Sequence, residues 1–225
     1  MVNYTKNSVF YQEYFELLIN RITHSTMSLE KDLGDPNDSK NAIRLRDNMK
    51  AFKLLLSKQN ELLTEELIIE VANLINESSM YISNGYRKSG NVLTDTDIPI
   101  SNPENIELEV RQLINDYYYT WTDMDPYEKE AKFHISFIRI HPFEDGNGRT
   151  ARLLLNFNLL KQGLSPVIIT EDLDEYYKSY IRNESVKEMA NIFRIQSIRE
   201  KQVFETLKKE YEASLETDTK NYPLK

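Results

Sequence analysis

Apolar residues recur along this chain at intervals of three and four, the spacing that places them on one face of an α-helix. In the first stretch of this kind the apolar positions are Phe10, Tyr14, Leu18 and Ile22, with Leu17 beside them. The pattern predicts a first helix that runs into residues 25–31. Turn-forming residues at positions 32–40 then predict a loop.

Four later segments begin with a signal for the N-terminus of a helix: a side chain that can cap it, or a proline at the first helical position. These signals are Asp38 or Ser39, Thr64, Asn102 before Pro103, and Asp125 before Pro126. An apolar face follows each of them; in the second helix it includes Ile43. The last of these helices is expected to end at His141, because Pro142 disfavours helical geometry at the residue before it.

The segment Leu153–Leu160 is apolar on almost every side, which predicts a central, buried helix that ends at Gly163. Residues 172 to about 215 predict two or three more helices, and the polar residues 216–225 predict a frayed tail. At about 86–101 the pattern indicates a short hairpin or an irregular flap. The sequence therefore predicts an all-α domain with one small β-hairpin flap.

The composition narrows the range of functions. The 225 residues include 28 Lys and Arg against 36 Asp and Glu, and the formal net charge of −8 argues against a nucleic-acid partner, which would need a basic face. There is no cysteine, so disulfides and thiolate chemistry do not contribute. No signal peptide or membrane span is recognisable, and a cytoplasmic protein without membrane contact is expected.

The stretch from His141 to Arg152 combines groups that suit one chemical task. An imidazole is suited to general base catalysis near neutral pH. The glycines of the Gly-Asn-Gly turn allow close approach of backbone N–H groups to a ligand, and the N-terminus of the following helix attracts anions. Arg149 and Arg152 share a helix face, and Asp145 sits where Mg²⁺ could bridge phosphate oxygens. The stretch predicts a triphosphate and metal site beside a general base.

The same stretch resembles, position for position, the signature of the Fic (filamentation induced by cAMP) family, His-Pro-Phe-x-Asp/Glu-Gly-Asn-Gly-Arg-x-x-Arg. The resemblance covers roughly residues 40–200 and implies a helical core with a β-hairpin flap. It further implies a protein adenylyltransferase, which moves AMP from ATP, with Mg²⁺ as cofactor, to a Ser, Thr or Tyr hydroxyl of an unknown target protein. A homodimer is a further expectation from the resemblance.

The resemblance also assigns roles to individual residues. His141 is the catalytic base, and Asp145 holds the metal. The residues expected to bind the nucleotide are Glu144, Asp145, Gly146, Asn147, Gly148, Arg149, Arg152, Tyr177 and Asn183. The flap residues expected to dock the target are Asn91, Val92 and Leu93. Tyr177 fits a core aromatic equally well, and His134 is expected to be buried rather than a metal ligand.

The segment 25–31 resembles an inhibitory helix with the pattern Ser/Thr-x-x-x-Glu-Gly/Asn. Thr26 and Glu30 occupy its fixed positions, and Lys31 replaces the final Gly or Asn. In the class that carries this helix at the N-terminus, the glutamate pairs with the second arginine of the motif, here Arg152. The implied parts of the chain are an N-terminal region 1–37 with the inhibitory helix, a core 38–200, and a C-terminal helix and tail 201–225.

Three alternatives stay open. The same site could remove AMP, with Glu30 activating water, or could transfer another phosphate-containing group. A non-catalytic helical interaction module belongs to a different class, and the joint presence of His141, Asp145 and Arg152 argues against it. For the transferase, the sequence predicts autoinhibition by Glu30 and a capacity for self-modification.

Overall fold

A computed structural model of the chain describes residues 9–29, 39–79, 85–90 and 98–221, with side chains described as far as residue 215. Over these residues the fold is built of α-helices, and no β-strand occurs. The helices are α1 Val9–Leu29, α2 Ser39–Ser57, α3 Glu65–Ile75, α4 Ile106–Asn115, α5 Pro126–Ile140, α6 Asn147–Lys161, α7 Asp174–Arg182 and α8 Val186–Asn221. The predicted all-α class is confirmed.

Two of the predicted helix starts are capped by side chains. Thr64 accepts a hydrogen bond from the amide of Leu67 at 3.3 Å. Asp125 accepts from the amides of Tyr127 and Glu128 at 3.0 and 3.2 Å. Both caps satisfy N–H groups that have no partner within their own helix. Pro103 behaves differently, because it opens a 3₁₀ turn, Pro103–Asn105, and α4 begins only at Ile106.

Helix α6 is the centre of the fold, as predicted. Every residue from 150 to 160 is buried, and α1, α2, α3 and α5 all pack against this helix. Its polar side chains find internal partners: Asn156 accepts from the amide of Val167 at 2.7 Å and donates to the carbonyl of Val167 at 3.0 Å. One buried amide thus pairs an extended segment that would otherwise leave buried backbone groups unsatisfied.

An ion pair fastens α1 to α8. Glu200 is only 3 % exposed, and it accepts from Arg21 at 2.5 Å and from the hydroxyl of Tyr14 at 3.4 Å. Burial raises the pKa of Glu200, while Arg21 and Tyr14 lower it. The contact holds the N-terminal helix on the same core as α6.

Some predictions require correction. Leu17 and Ile43 were expected on buried faces but are 40 % and 36 % exposed. Helix α8 continues to Asn221, into the tail that was expected to fray. The boundary expected at residue 200 lies inside α8, the boundary at residue 37 lies outside the described residues, and the three-part division stays a prediction.

The β-hairpin flap is not supported. Residues 85–90 and 98–101 contain no strand, and residues 91–97, with Asn91, Val92 and Leu93, lie outside the described part of the chain. The backbone on both sides bonds to the end of α5 instead: Arg87 N donates to Pro142 O at 2.8 Å and Ser101 N donates to Arg139 O at 3.2 Å. Among the described residues, no helix is long and apolar enough to cross a membrane.

Candidate active site

His141 ends α5 in a left-handed conformation, with φ 52° and ψ 60°. Its amide still donates to Phe137 O at 3.0 Å, so it is the C-cap of the helix, as Pro142 predicted. A residue other than glycine in this region is strained by roughly 1–3 kcal/mol, which surrounding contacts must offset. The half-buried ring places Nδ1 3.3 Å from Ile138 O. That contact favours a proton on Nδ1, which leaves Nε2 with the lone pair that a general base needs.

The loop after His141 is closed by Asn147. Its Oδ1 accepts from the amide of Phe143 at 2.9 Å, and its Nδ2 donates to Phe143 O at 2.8 Å. Gly146, with φ 79°, lies within the turn that this pair of hydrogen bonds closes. A Cβ at Gly146 would lie 3.1 Å from the side chains of Asn76 and Ile75 in α3. Asn76 also donates to Asp145 O at 2.9 Å, so α3 and the loop hold each other in one arrangement.

The loop delivers the N-terminus of α6 without a side-chain cap. The N-cap is Gly146, and the first turn contains no acidic residue. The first N–H groups of a helix have no intrahelical acceptor, and together with the helix dipole they attract an anion. The start of α6, just after the His141 loop, is therefore suited to phosphate.

Arg149 lies in the first turn of α6 and is 3 % exposed. Its Nη2 lies 3.0 Å from Asp145 Oδ2 and 3.4 Å from Asn76 Oδ1. Its Nε is buried and has no hydrogen-bond partner among the described residues. A buried donor without an acceptor costs roughly 1–3 kcal/mol, so an anion that binds here would recover that cost.

Arg152, the second arginine of the motif, belongs to a separate chain of hydrogen bonds. His134 Nδ1 lies 3.3 Å from Ala151 O, and its Nε2 lies 2.6 Å from the hydroxyl of Tyr177. Burial and the charge of Arg152 lower the pKa of His134 to about 3, so the ring is neutral. With the proton on Nδ1, Nε2 accepts from Tyr177, whose oxygen in turn accepts from Arg152 Nη1 at 3.5 Å. Three helices thus position one guanidinium.

Helix α1 reaches the same guanidinium. Arg152 Nη2 donates to the carbonyl of Thr26 at 3.1 Å, and Thr26 is buried. The last turn of α1 therefore lies against the second motif arginine. Glu30, one turn further along the sequence, lies outside the described residues.

Residues 62–159 match the sequence pattern of the Fic/DOC family. We refer to this matched segment, residues 62–159, as the Fic domain. Protein adenylyltransferase fic-1 of Caenorhabditis elegans is 33% identical over 132 residues, which are 56% of this chain and 25% of that protein. Protein adenylyltransferase Fic of Nematostella vectensis is 33% identical over 137 residues, 60% of this chain and 32% of that protein. The chain spans a third or less of these two curated relatives.

The fold agrees with that of a solved Fic protein. A Fic domain containing signaling protein from Bacteroides thetaiotaomicron superposes with a TM-score of 0.79 at 20% identity, over 89% of this chain and 90% of that one. The match extends well beyond residues 62–159, so the helices outside the Fic domain also have counterparts there.

Two of the residues expected to bind the nucleotide have their described hydrogen-bond partners outside the motif loop and α6. Glu144 accepts from the amide of Lys88 at 3.3 Å and from the hydroxyl of Ser89 at 3.2 Å, so its carboxylate faces that segment. Asn183 is exposed at the C-cap of α7 and donates to the hydroxyl of Ser179 at 3.3 Å. By contrast, Tyr177 is buried beside Arg152.

Among the described residues, the protein offers Mg²⁺ a single carboxylate at this site, so the remaining ligands must come from a nucleotide and water. Within the described residues, no group of three or more His, Cys, Asp or Glu could hold a metal ion. Asp145 is a single, partly exposed carboxylate beside the N-terminus of α6. Mg²⁺ commonly binds through one or two carboxylates, with phosphates and waters as its other ligands. The Fic domain therefore fits this ion when a nucleotide accompanies it.

Sequence reasoning missed two residues that shape the site. Asn76 bonds to the motif loop from the end of α3, and Arg87 bonds to the main chain of His141. Neither belongs to a recognisable motif, and only the tertiary packing brings them to the loop.

Proposed function

We propose that the Fic domain is a protein adenylyltransferase, which transfers AMP from ATP to a hydroxyl side chain of a target protein. The observation that carries the proposal is that the loop after His141 leads directly to an N-terminus of α6 that no side chain caps. In the first turn of that helix, Arg149 Nε is buried without a hydrogen-bond partner in the described part of the chain. The two curated relatives, both named protein adenylyltransferases, support this class of reaction.

In this proposal the phosphates of ATP lie on the first turn of α6, held by its amides and by Arg149 and Arg152. Nε2 of His141 takes the proton of the target hydroxyl. The hydroxyl oxygen then bonds to the α-phosphorus, the bond from that phosphorus to the bridging oxygen breaks, and pyrophosphate leaves. Asp145 is the residue that would hold Mg²⁺, which neutralises phosphate charge when bound. Positioning and electrostatic stabilisation supply most of the catalysis in phosphoryl transfer.

We further propose that Glu30 restrains the enzyme. The support is the hydrogen bond from Arg152 to Thr26 O, which brings the last turn of α1 against the guanidinium that would hold the outer phosphates. A carboxylate four residues after Thr26 in the sequence would compete with phosphate for Arg152. We expect Glu30→Gly and Glu30→Gln to raise the initial rate of self-AMP incorporation at least tenfold, which requires only about 1.4 kcal/mol. Rates equal to the wild type in both variants would refute the inhibitory role.

The proposed docking site for the target is the segment at about 86–101, with Asn91, Val92 and Leu93. Its described ends support this position, because Arg87 and Ser101 bond to the backbone around His141. A peptide that binds there would lie near the base. A cytoplasmic location and a homodimer complete the proposal.

The test is incorporation of label into protein from ATP labelled at the α-phosphate, with γ-labelled ATP in parallel. Wild type, Glu30→Gly and His141→Ala are compared, each purified and then mixed with cell lysate. Incorporation of the α-label alone, lost in His141→Ala, is the expected result. Incorporation of the γ-label would indicate phosphorylation, and release of AMP from modified protein would indicate hydrolytic removal of AMP. Absence of ATP binding would favour the interaction module.

A further inference from the structure

Arg87 is buried to 2 % exposure in a part of the chain that no motif marks. Within the described residues its guanidinium donates to main-chain carbonyl oxygens on three sides. Nε donates to His141 O at 2.6 Å, Nη1 to Ser89 O at 2.8 Å, and Nη2 to Ser101 O and, at 3.5 Å, to Ile140 O. Its own amide donates to Pro142 O at 2.8 Å.

These bonds fall where α5 ends. The last carbonyls of a helix have no intrahelical donor, and a cation near them is stabilised by the helix dipole. His141 is also the residue whose left-handed backbone needs external support. A short hydrogen bond to its carbonyl fixes the peptide plane that follows it, and so the direction in which its side chain leaves the backbone.

The same guanidinium joins this helix end to two other points of the chain. Ser89 and Ser101 lie toward the two ends of the segment at about 86–101, which is proposed to receive the target. Glu144 of the motif loop strengthens the first of these junctions through Lys88 and Ser89. The Ser101 amide strengthens the second by donating to Arg139 O at 3.2 Å. The Arg87 side chain therefore bonds to the backbone of His141, of Ser89 and of Ser101.

We propose that Arg87 is a positioning residue for the transfer reaction. It holds the backbone of His141 at a fixed position relative to Ser89 and Ser101. The inference rests on the proposed function, and it goes beyond the signature motif because Arg87 lies more than fifty residues before it. Arg87 contacts neither the N-terminus of α6 nor the two motif arginines in any described hydrogen bond. It acts through the geometry of His141 and not through the nucleotide.

Charge alone does not meet this requirement. A guanidinium directs five N–H groups in one plane, which suits acceptors on several sides, whereas an ammonium presents three donors from a single point. Arg87→Lys keeps the charge and most of the stem, but it cannot reach His141, Ser89 and Ser101 together. Arg87→Gln removes the charge as well.

The experiment measures kcat and KM for ATP in the transfer reaction, and the dissociation constant of ATP by titration, at a temperature where each variant is folded by circular dichroism. We expect Arg87→Lys and Arg87→Gln to lower kcat at least tenfold, while the dissociation constant of ATP stays within about twofold. The matched control is Arg139→Gln. Arg139 lies in the last turn of α5, the helix that ends at His141. Its guanidinium pairs with Glu184 at 2.9 Å and makes no contact with the backbone of His141 among the described hydrogen bonds.

The outcomes separate this inference from the function on which it rests. If the wild type transfers AMP and Arg87→Lys matches Arg139→Gln in kcat, Arg87 has no positioning role. A loss of ATP affinity equal to the loss of kcat also overturns the inference, because it would place the effect at the nucleotide. If the wild type transfers no AMP at all, the proposed function fails first. If Arg87→Gln does not fold, the kcat of Arg87→Lys compared with that of Arg139→Gln decides whether Arg87 has a positioning role.

Discussion

Replacing Tyr177 by phenylalanine tests the chain of hydrogen bonds that ends on Arg152. The change removes a single hydroxyl and keeps the ring, so no cavity forms. His134 Nε2, which lies 2.6 Å from that hydroxyl, would be left buried without a donor. Arg152 Nη1 would lose an acceptor at 3.5 Å.

The magnitude follows from these two contacts. A buried polar atom left without its partner costs about 1–3 kcal/mol. In a chain of this size, each kcal/mol lowers the melting temperature by about 2–4 °C. We therefore expect Tyr177→Phe to melt roughly 2–12 °C below the wild type. The long contact to Arg152 contributes less, and the affinity for ATP should fall by roughly two- to fivefold.

Tyr176→Phe is the matched control, because the neighbouring ring is 60 % exposed. Thermal unfolding and urea unfolding are measured for both variants, and their affinity for ATP is measured by titration. The control should remain within about 0.5 kcal/mol of the wild type. If Tyr177→Phe behaves like Tyr176→Phe in both assays, the hydroxyl does not connect His134 with Arg152, and the reasoning about this network is wrong.

Three further predictions concern the loop, a buried carboxyl and the metal. Gly146→Ala should lower the free energy of unfolding by about 1–3 kcal/mol, because φ is 79° and the new Cβ would lie 3.1 Å from Asn76 and Ile75. Urea titration measures the difference from the control Gly90→Ala, where the new Cβ would have no described atom within 4 Å. Burial raises the pKa of Glu130 from 4.5 to about 7, so its protonated form stabilises the native state fully below about pH 4.5, and this stability is lost as the pH rises through about 7. Glu130→Gln should remove that decline from urea midpoints recorded between about pH 5 and 8, and an unchanged decline would assign it to other groups. Asp145→Ala should lose Mg²⁺-dependent turnover, and a variant whose turnover responds to added Mg²⁺ as the wild type does would show that the metal binds elsewhere.

Local signals in the sequence predicted much of the fold. Thr64 and Asp125 cap helices as expected, because a cap depends only on residues within one turn. The apolar run after the motif forms the buried helix α6. Helical spacing does not determine how wide a buried face is, and this explains why Leu17 and Ile43 are more exposed than predicted.

The site was predictable only as far as its motif is continuous. His141 at a helix end and the glycine turn at the start of α6 follow from adjacent residues. The partners of the motif do not. Asn76 and Arg87 come from distant parts of the chain, and their contacts with the motif loop depend on tertiary packing. Tyr177 was named from the resemblance, but its contacts with His134 and Arg152 depend on how α5, α6 and α7 pack. The position of Glu144 beside Ser89 is likewise a tertiary feature that no spacing in the sequence encodes.

The central claim is that His141 acts on the target hydroxyl, beside a phosphate site that the rest of the loop forms. The most direct measurement is the rate of AMP transfer by His141→Ala in the Glu30→Gly background, with the dissociation constant of ATP determined on the same preparation. We expect transfer to be lost while the affinity for ATP stays within about threefold of the parent, because the described contacts of Arg149 and Arg152 do not involve the imidazole. Transfer at the parent rate, or a parallel loss of ATP binding, would contradict it.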